Sequence, residues 1–107
     1  MKQIEIIPKA GFNLYGSLIR REIEHRQKAR GTFYRVGARK KNEATWHHKQ
    51  HPGWVKIARG MGGVVLAEIR TKAHPHREWP IFQAFLGFLD RHFGENLAAI
   101  NVQYRSA

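Results

Sequence analysis

The chain has 107 residues, 42 % of them apolar, with 19 lysines and arginines against 8 acids, no cysteine and a formal net charge of +11. This length fits one domain spanning residues 1–107, twelve aromatic residues argue against disorder, and the missing cysteines exclude disulfides and thiolate metal ligands. No segment approaches the roughly 20 apolar residues of a membrane span, and Met1-Lys2-Gln3-Ile4-Glu5-Ile6-Ile7 lacks the apolar run and small-residue site of a signal peptide, so the expectation is a soluble cytoplasmic protein.

Ile4, Ile6 and Ile7 form a short apolar segment that stops at Pro8, which reads as an edge strand because proline ends a ladder. Phe12, Tyr15, Ile19 and Ile23 then recur at three- and four-residue steps, with Leu14 and Leu18 alongside, and predict a helix. Asn13 or Ser17 is its N-cap and Gly31 its terminator. Glu22–Arg26 and Glu24–Lys28 are i,i+4 pairs in the favourable order, each contributing about 0.3 kcal/mol.

After Gly31 the period changes to two. Thr32 to Ala38, Glu43 to Gln50, Trp54 to Arg59 and Val64 to Thr71 read as four strands in a meander. Arg39-Lys40-Lys41-Asn42, Pro52-Gly53 and Gly60-Met61-Gly62-Gly63 supply the turns. His74-Pro75-His76 ends this run. A second helix is predicted from about Arg77 to Phe93, regular from Trp79 because Pro80 fits only a first turn, with Gly94 as its C′ residue. Leu97 to Arg105 closes the chain as a strand. Ala98, Ile100, Val102 and Tyr104 face one way, and Asn101, Gln103 and Arg105 the other. The order β-α-β-β-β-β-α-β predicts an α+β two-layer sandwich, with both helices on one face of a mainly antiparallel sheet. The other sheet face is then open and carries many of the basic residues.

Charge is unevenly placed along this pattern. Residues 1–41 hold eleven lysines and arginines against three acids, residues 42–72 five against two, and residues 73–107 three against three. An excess at one end suggests a polyanion-facing surface. The strongest candidate is a basic, aromatic sheet face formed by Arg35, Arg39, Lys40, Lys41, Trp46, His48, Lys49, Trp54 and Lys56, with Phe33 and Tyr34 nearby. Cations neutralise phosphates and rings stack on unpaired bases. The bland alternative is a solvated face with Trp46 and Trp54 in the core.

Other constellations are weaker. His47-His48-Lys49-Gln50-His51 is rich in histidine, but successive strand side chains point to opposite faces, so no three-ligand metal set emerges, and no cofactor is implied. His47 or His48 with Lys49, Arg35 and Glu43 has the residue types for RNA cleavage, resembling small mRNA-cleaving toxins in size and charge only. Glycine-rich Gly60 to Gly63 lies between strands and lacks the helix that a phosphate cradle uses. The second helix is apolar nearly all round. Phe82, Phe85, Leu86, Leu89 and Phe93 form a stripe for the sheet, which leaves Ile81, Ala84 and Phe88 for a partner subunit; with the strand Leu97 to Arg105 as a second contact if it lies at a sheet edge, this predicts a homodimer built from helix faces or joined edges.

Gly31-Thr32-Phe33, Arg39-Lys40-Lys41-Asn42, Thr45-Trp46, His48-Lys49 and Pro52-Gly53-Trp54 resemble small proteins encoded by mobile integron gene cassettes. So do Glu78-Trp79 and the run Gln83 to Phe93. The likeness covers roughly residues 30–105. It implies a bacterial protein of the adaptive gene pool and brings no catalytic residue. The expectation is therefore a non-enzymatic binding module for nucleic acid or another polyanion. The alternatives are a toxin-like ribonuclease and a homo-oligomer that binds a small anion.

Overall fold

Six strands and two helices follow one another in the predicted order. The computed structural model describes residues 1–38, 40–72 and 75–105. Its elements are β1 (Lys2–Pro8), α1 (Leu14–Gln27), β2 (Phe33–Val36), β3 (Glu43–His48), β4 (Trp54–Arg59), β5 (Val65–Arg70), α2 (Trp79–Phe93) and β6 (Leu97–Tyr104). All neighbours pair antiparallel, in the order β2-β3-β4-β5-β1-β6. Among the described residues no helix is long and apolar enough to cross a membrane.

Alternation divides the sheet into two faces. Ile4, Ile6, Trp46, Val55, Ile57, Val65, Ala67 and Ile69 turn inward and are fully buried. Leu14, Tyr15, Leu18 and Ile19 of α1 and Ile81, Phe82, Phe85, Phe88 and Leu89 of α2 join them in one core. The outward residues of every strand are half-buried or exposed. The result is a helix layer over one face and an uncovered face opposite.

Three local expectations change. β1 is not an edge strand: it lies between β5 and β6, which the chain supplies more than fifty residues later. Pro8 sits at its end, where β6 carries one extra residue, Ala98, opposite the Ile7–Pro8 step. Asn13 is the N-cap of α1, its side chain accepting from Gly16 N–H at 3.1 Å, but Gly31 is not the terminator. Ala29 takes the left-handed conformation, with φ of 53°. Around it Arg30 N–H donates to the His25 carbonyl at 2.7 Å and Ala29 N–H to the Arg26 carbonyl at 3.1 Å, the double bond of a Schellman end. Gly94 keeps right-handed backbone and continues into a short 3-10 turn, Gly94–Asn96.

The helix-face interface is also overturned. Ile81 is 0 % and Phe88 4 % exposed within their own subunit, and Ala84 is half-buried. Phe88 packs edge-on against Trp46, Phe33 and His25 at 5.6, 5.7 and 6.2 Å between ring centres. An all-round apolar helix needs two covers, and here the sheet, Phe33 included, is one and α1, through His25, is the other.

The Ala29 conformation gives a stability test. Left-handed backbone costs an L-residue about 1–2 kcal/mol, and glycine relieves it while adding back about 0.4–1 kcal/mol of unfolded-chain entropy. Ala29→Gly is expected to raise stability by up to about 1 kcal/mol in urea denaturation. A loss of that size would contradict the helix end described.

Candidate functional site

Four cations of the first 41 residues, Arg20, Arg21, Lys40 and Lys41, line pockets on the helix layer. Because α1 buries Leu14, Tyr15, Leu18, Ile19 and Glu22, its remaining arc carries Arg20 and Arg21 outward. The turn between β2 and β3 brings Lys40 and Lys41 alongside. Arg59 N–H donates to the Asn42 carbonyl at 2.8 Å, which ties that turn to the end of β4. These parts enclose an open pocket of about 380 Å³ lined by Tyr15, Gly16, Ile19, Arg20, Lys40, Lys41 and Arg59, with no acid in its wall.

Each cation is held differently. The Arg59 guanidinium lies over the Tyr15 ring, 4.7 Å from its centre, an arrangement that orients the charge without neutralising it. Arg20 Nη2 donates to Ser17 Oγ at 3.2 Å. Lys40 Nζ is 3.2 Å from Glu43, and Lys56 reaches the same carboxylate at 3.7 Å. The Lys40 hydrogen bond, then the Lys56 charge, holds the Glu43 pKa below the usual carboxylate value. Arg20 also lines a second pocket of about 250 Å³ with Phe12, Ser17, Arg21, Glu24, His92, Phe93 and Asn96. The two pockets share Arg20 on α1, and together their walls hold five Lys and Arg side chains and one acid, Glu24.

The sequence-predicted residues are distributed over three surfaces. Lys40 and Lys41 line the first of these pockets. Trp46, at 0 % exposure, belongs to the core, packed against Phe85 and Phe88, so it offers no face to a base. Arg35 pairs opposite Trp46 and His48 opposite Phe33, which turns both inward. Trp54 and Lys56 are on the open face, and Lys49 is exposed in the following loop. Arg39 and His74 lie outside the described residues. The open face is therefore not the basic surface: Lys56 and Arg70 share it with Glu5, Glu43 and Glu68, by the strand registers. Tyr15, Arg20, Arg21 and Arg59 were missed. The two arginines of α1 were legible as residues off its buried stripe, whereas Arg59 comes close only through the β3–β4 pairing.

The set proposed for RNA cleavage is not assembled. His47 points outward while His48 and Arg35 point inward, and Glu43 is four residues from His47 along β3, about 13 Å at strand rise. His48 Nδ1 accepts from Gln50 N–H at 3.0 Å and His51 N–H at 3.2 Å, so its ring serves the loop. Among the described residues no three His, Asp or Glu side chains are placed to share a metal ion. Comparison with family models, curated proteins and solved structures finds no match to this chain.

Among the described residues three histidine rings have depressed pKa values. Burial, then His51, lowers His48. Burial, then Arg21, lowers both His25 and His92, whose rings lie 5.1 Å apart. The unfolded chain binds these protons more readily, so their stabilisation is full above the ordinary value of 6.5 and is lost as pH falls below it toward the folded values. We expect the urea midpoint to be lower at pH 5.5 than at pH 7.5. His48→Asn keeps an acceptor for the loop and should reduce that difference. A pH-independent midpoint would contradict the assignment.

Proposed function

We propose that the chain is a non-enzymatic cytoplasmic module that binds polyanions, with a nucleic-acid phosphate backbone as ligand, through the groove along α1. The observation that carries this reading is the pocket in which Arg20, Lys40, Lys41 and Arg59 converge with no acid in the wall. Phosphate contacts of this kind supply affinity without reading sequence. Tyr15 is buried beneath Arg59, so the groove contacts backbone charge and stacks no base. The likeness to integron-cassette proteins adds no chemistry to this reading.

Four neutralised phosphates give a slope of about −4 in log K against log salt on duplex DNA. Polarisation titrations at several salt concentrations are expected to show it. The double variant Lys40→Glu, Lys41→Glu should abolish binding while leaving the fold intact, because both side chains are exposed. Binding indifferent to salt, or none at tens of micromolar, would refute the groove.

We infer further that the chain forms a homodimer through β6. The two sheet edges differ in protection. β2 has four residues, bears Arg35 and leads into Lys40 and Lys41, whereas β6 runs eight residues from Leu97 to Tyr104 without a charge. An uncharged open edge offers unpaired backbone groups, and it is where two strongly cationic chains meet with least repulsion. A two-fold axis at Asn101 sets Ile100 beside the partner's Val102 and Arg105 opposite the partner's Leu97. Sedimentation at micromolar concentration should show two chains. Asn101→Lys places like charges opposite each other and should give monomers. A wild-type monomer at a hundred micromolar would overturn the pairing.

A further inference from the structure

The groove accounts for charge and leaves the open face of the sheet unexplained. On that face one register row runs directly across four strands. Tyr34 pairs with His47, His47 with Trp54, and Trp54 with Arg70. Neighbouring strands lie about 4.8 Å apart, so three planar rings and a guanidinium stand side by side on a surface that no helix covers. Tyr34 is 36 % exposed, and its ring lies 6.1 Å from that of His47. At the strand ends, His47, His51, Trp54, Thr71 and Lys72 line an open pocket of about 500 Å³.

We propose that the row Tyr34–His47–Trp54 is a stacking platform for unpaired nucleobases, with Arg70 and Lys72 at its far end meeting the phosphates of a single strand. Charge supports this occupant. Lys49, Lys56, Arg70 and Lys72 surround the row on the strands and loops that carry it, against Glu43, 3.7 Å from Lys56, and Glu68, 3.4 Å from Arg70. An apolar peptide or lipid would leave Lys49 and Lys72 without a counter-charge, whereas a phosphate between bases neutralises them. Aromatic side chains along one register row suit bases, each of which offers a π-face whatever its identity. The row accepts the nucleic-acid branch of the reading above and adds a preference for single strands. It lies on the opposite face of the sheet from α1, so the two surfaces are separable.

The decisive comparison uses the wild-type protein. Its affinity for a labelled oligothymidylate is measured against an abasic oligonucleotide of the same length and charge, and against heparin. Each stacked base is worth about tenfold, so oligothymidylate should bind at least about tenfold more tightly than the abasic strand. Trp54→Ala and Tyr34→Ala, made singly on an uncovered face and checked by far-UV circular dichroism, should bring oligothymidylate toward the abasic affinity and leave heparin binding in place. Lys40→Glu, Lys41→Glu should weaken heparin binding and preserve the preference for bases. Equal affinity for the two strands, no affinity for either, or an undiminished preference in Trp54→Ala overturns the platform. Loss of heparin binding in the wild type would instead refute the groove.

Discussion

The burial of Trp46 decides the arrangement of everything around it. Its ring takes the inward side of β3 against Phe33, Phe85 and Phe88, and strand side chains alternate without choice. With Trp46 inward, Ala44 and His48 follow it, while Thr45 and His47 must face out. The registers pass the same decision sideways, sending Arg35 inward on β2 and Lys56 outward on β4. A shift of one residue would place the largest core side chain in water and reverse both faces. The division between a helix-covered face and an aromatic open face thus descends from one indole.

The charge of the molecule is arranged to suit that division. A net +11 stored in a core of this size would be prohibitive, and the cations sit where water reaches them. The few buried charged groups are paired. Glu78, 4 % exposed, lies 3.0 Å from the Met1 ammonium and 3.5 Å from Lys2, and Glu22 lies 3.4 Å from Arg26. Lys2 also stands over the Phe82 ring, so its aliphatic stem covers apolar surface. The two Glu78 pairs fix the start of β1 to the start of α2.

Much of the fold was legible because its signals are local. The meander of β2 to β5, the N-cap at Asn13 and the bounds of β4 follow from alternation, capping and turn residues within a few positions. What escaped is set by distance along the chain. Pro8 looked like the mark of an edge strand, since nothing near β1 reveals that β6 returns to its other side. Phe88 looked unpartnered because its cover comes from Phe33 and His25. The candidate site suffered similarly. Lys40 and Lys41 were visible as a charged turn, but Arg59 joins them only once β3 and β4 have paired, and the inward turn of Trp46 was undecidable from a strand with aromatic residues on both faces.

The position of β1 has a kinetic consequence. It precedes the meander, whereas both of its partners, β5 and β6, follow more than fifty residues later. On a ribosome, Ile4, Ile6 and Ile7 leave the exit tunnel with no ladder to join, and until β5 emerges only β2 to β4 can assemble, with the β4 edge bare. Closing so long a loop is entropically slow, and a sheet dominated by distant pairings folds slowly for its size. Until β5 is released, the isoleucines of the first strand and the bare edge are exposed together, which is the state most prone to association with other chains. The strand that ends up most enclosed is the one whose protection arrives latest.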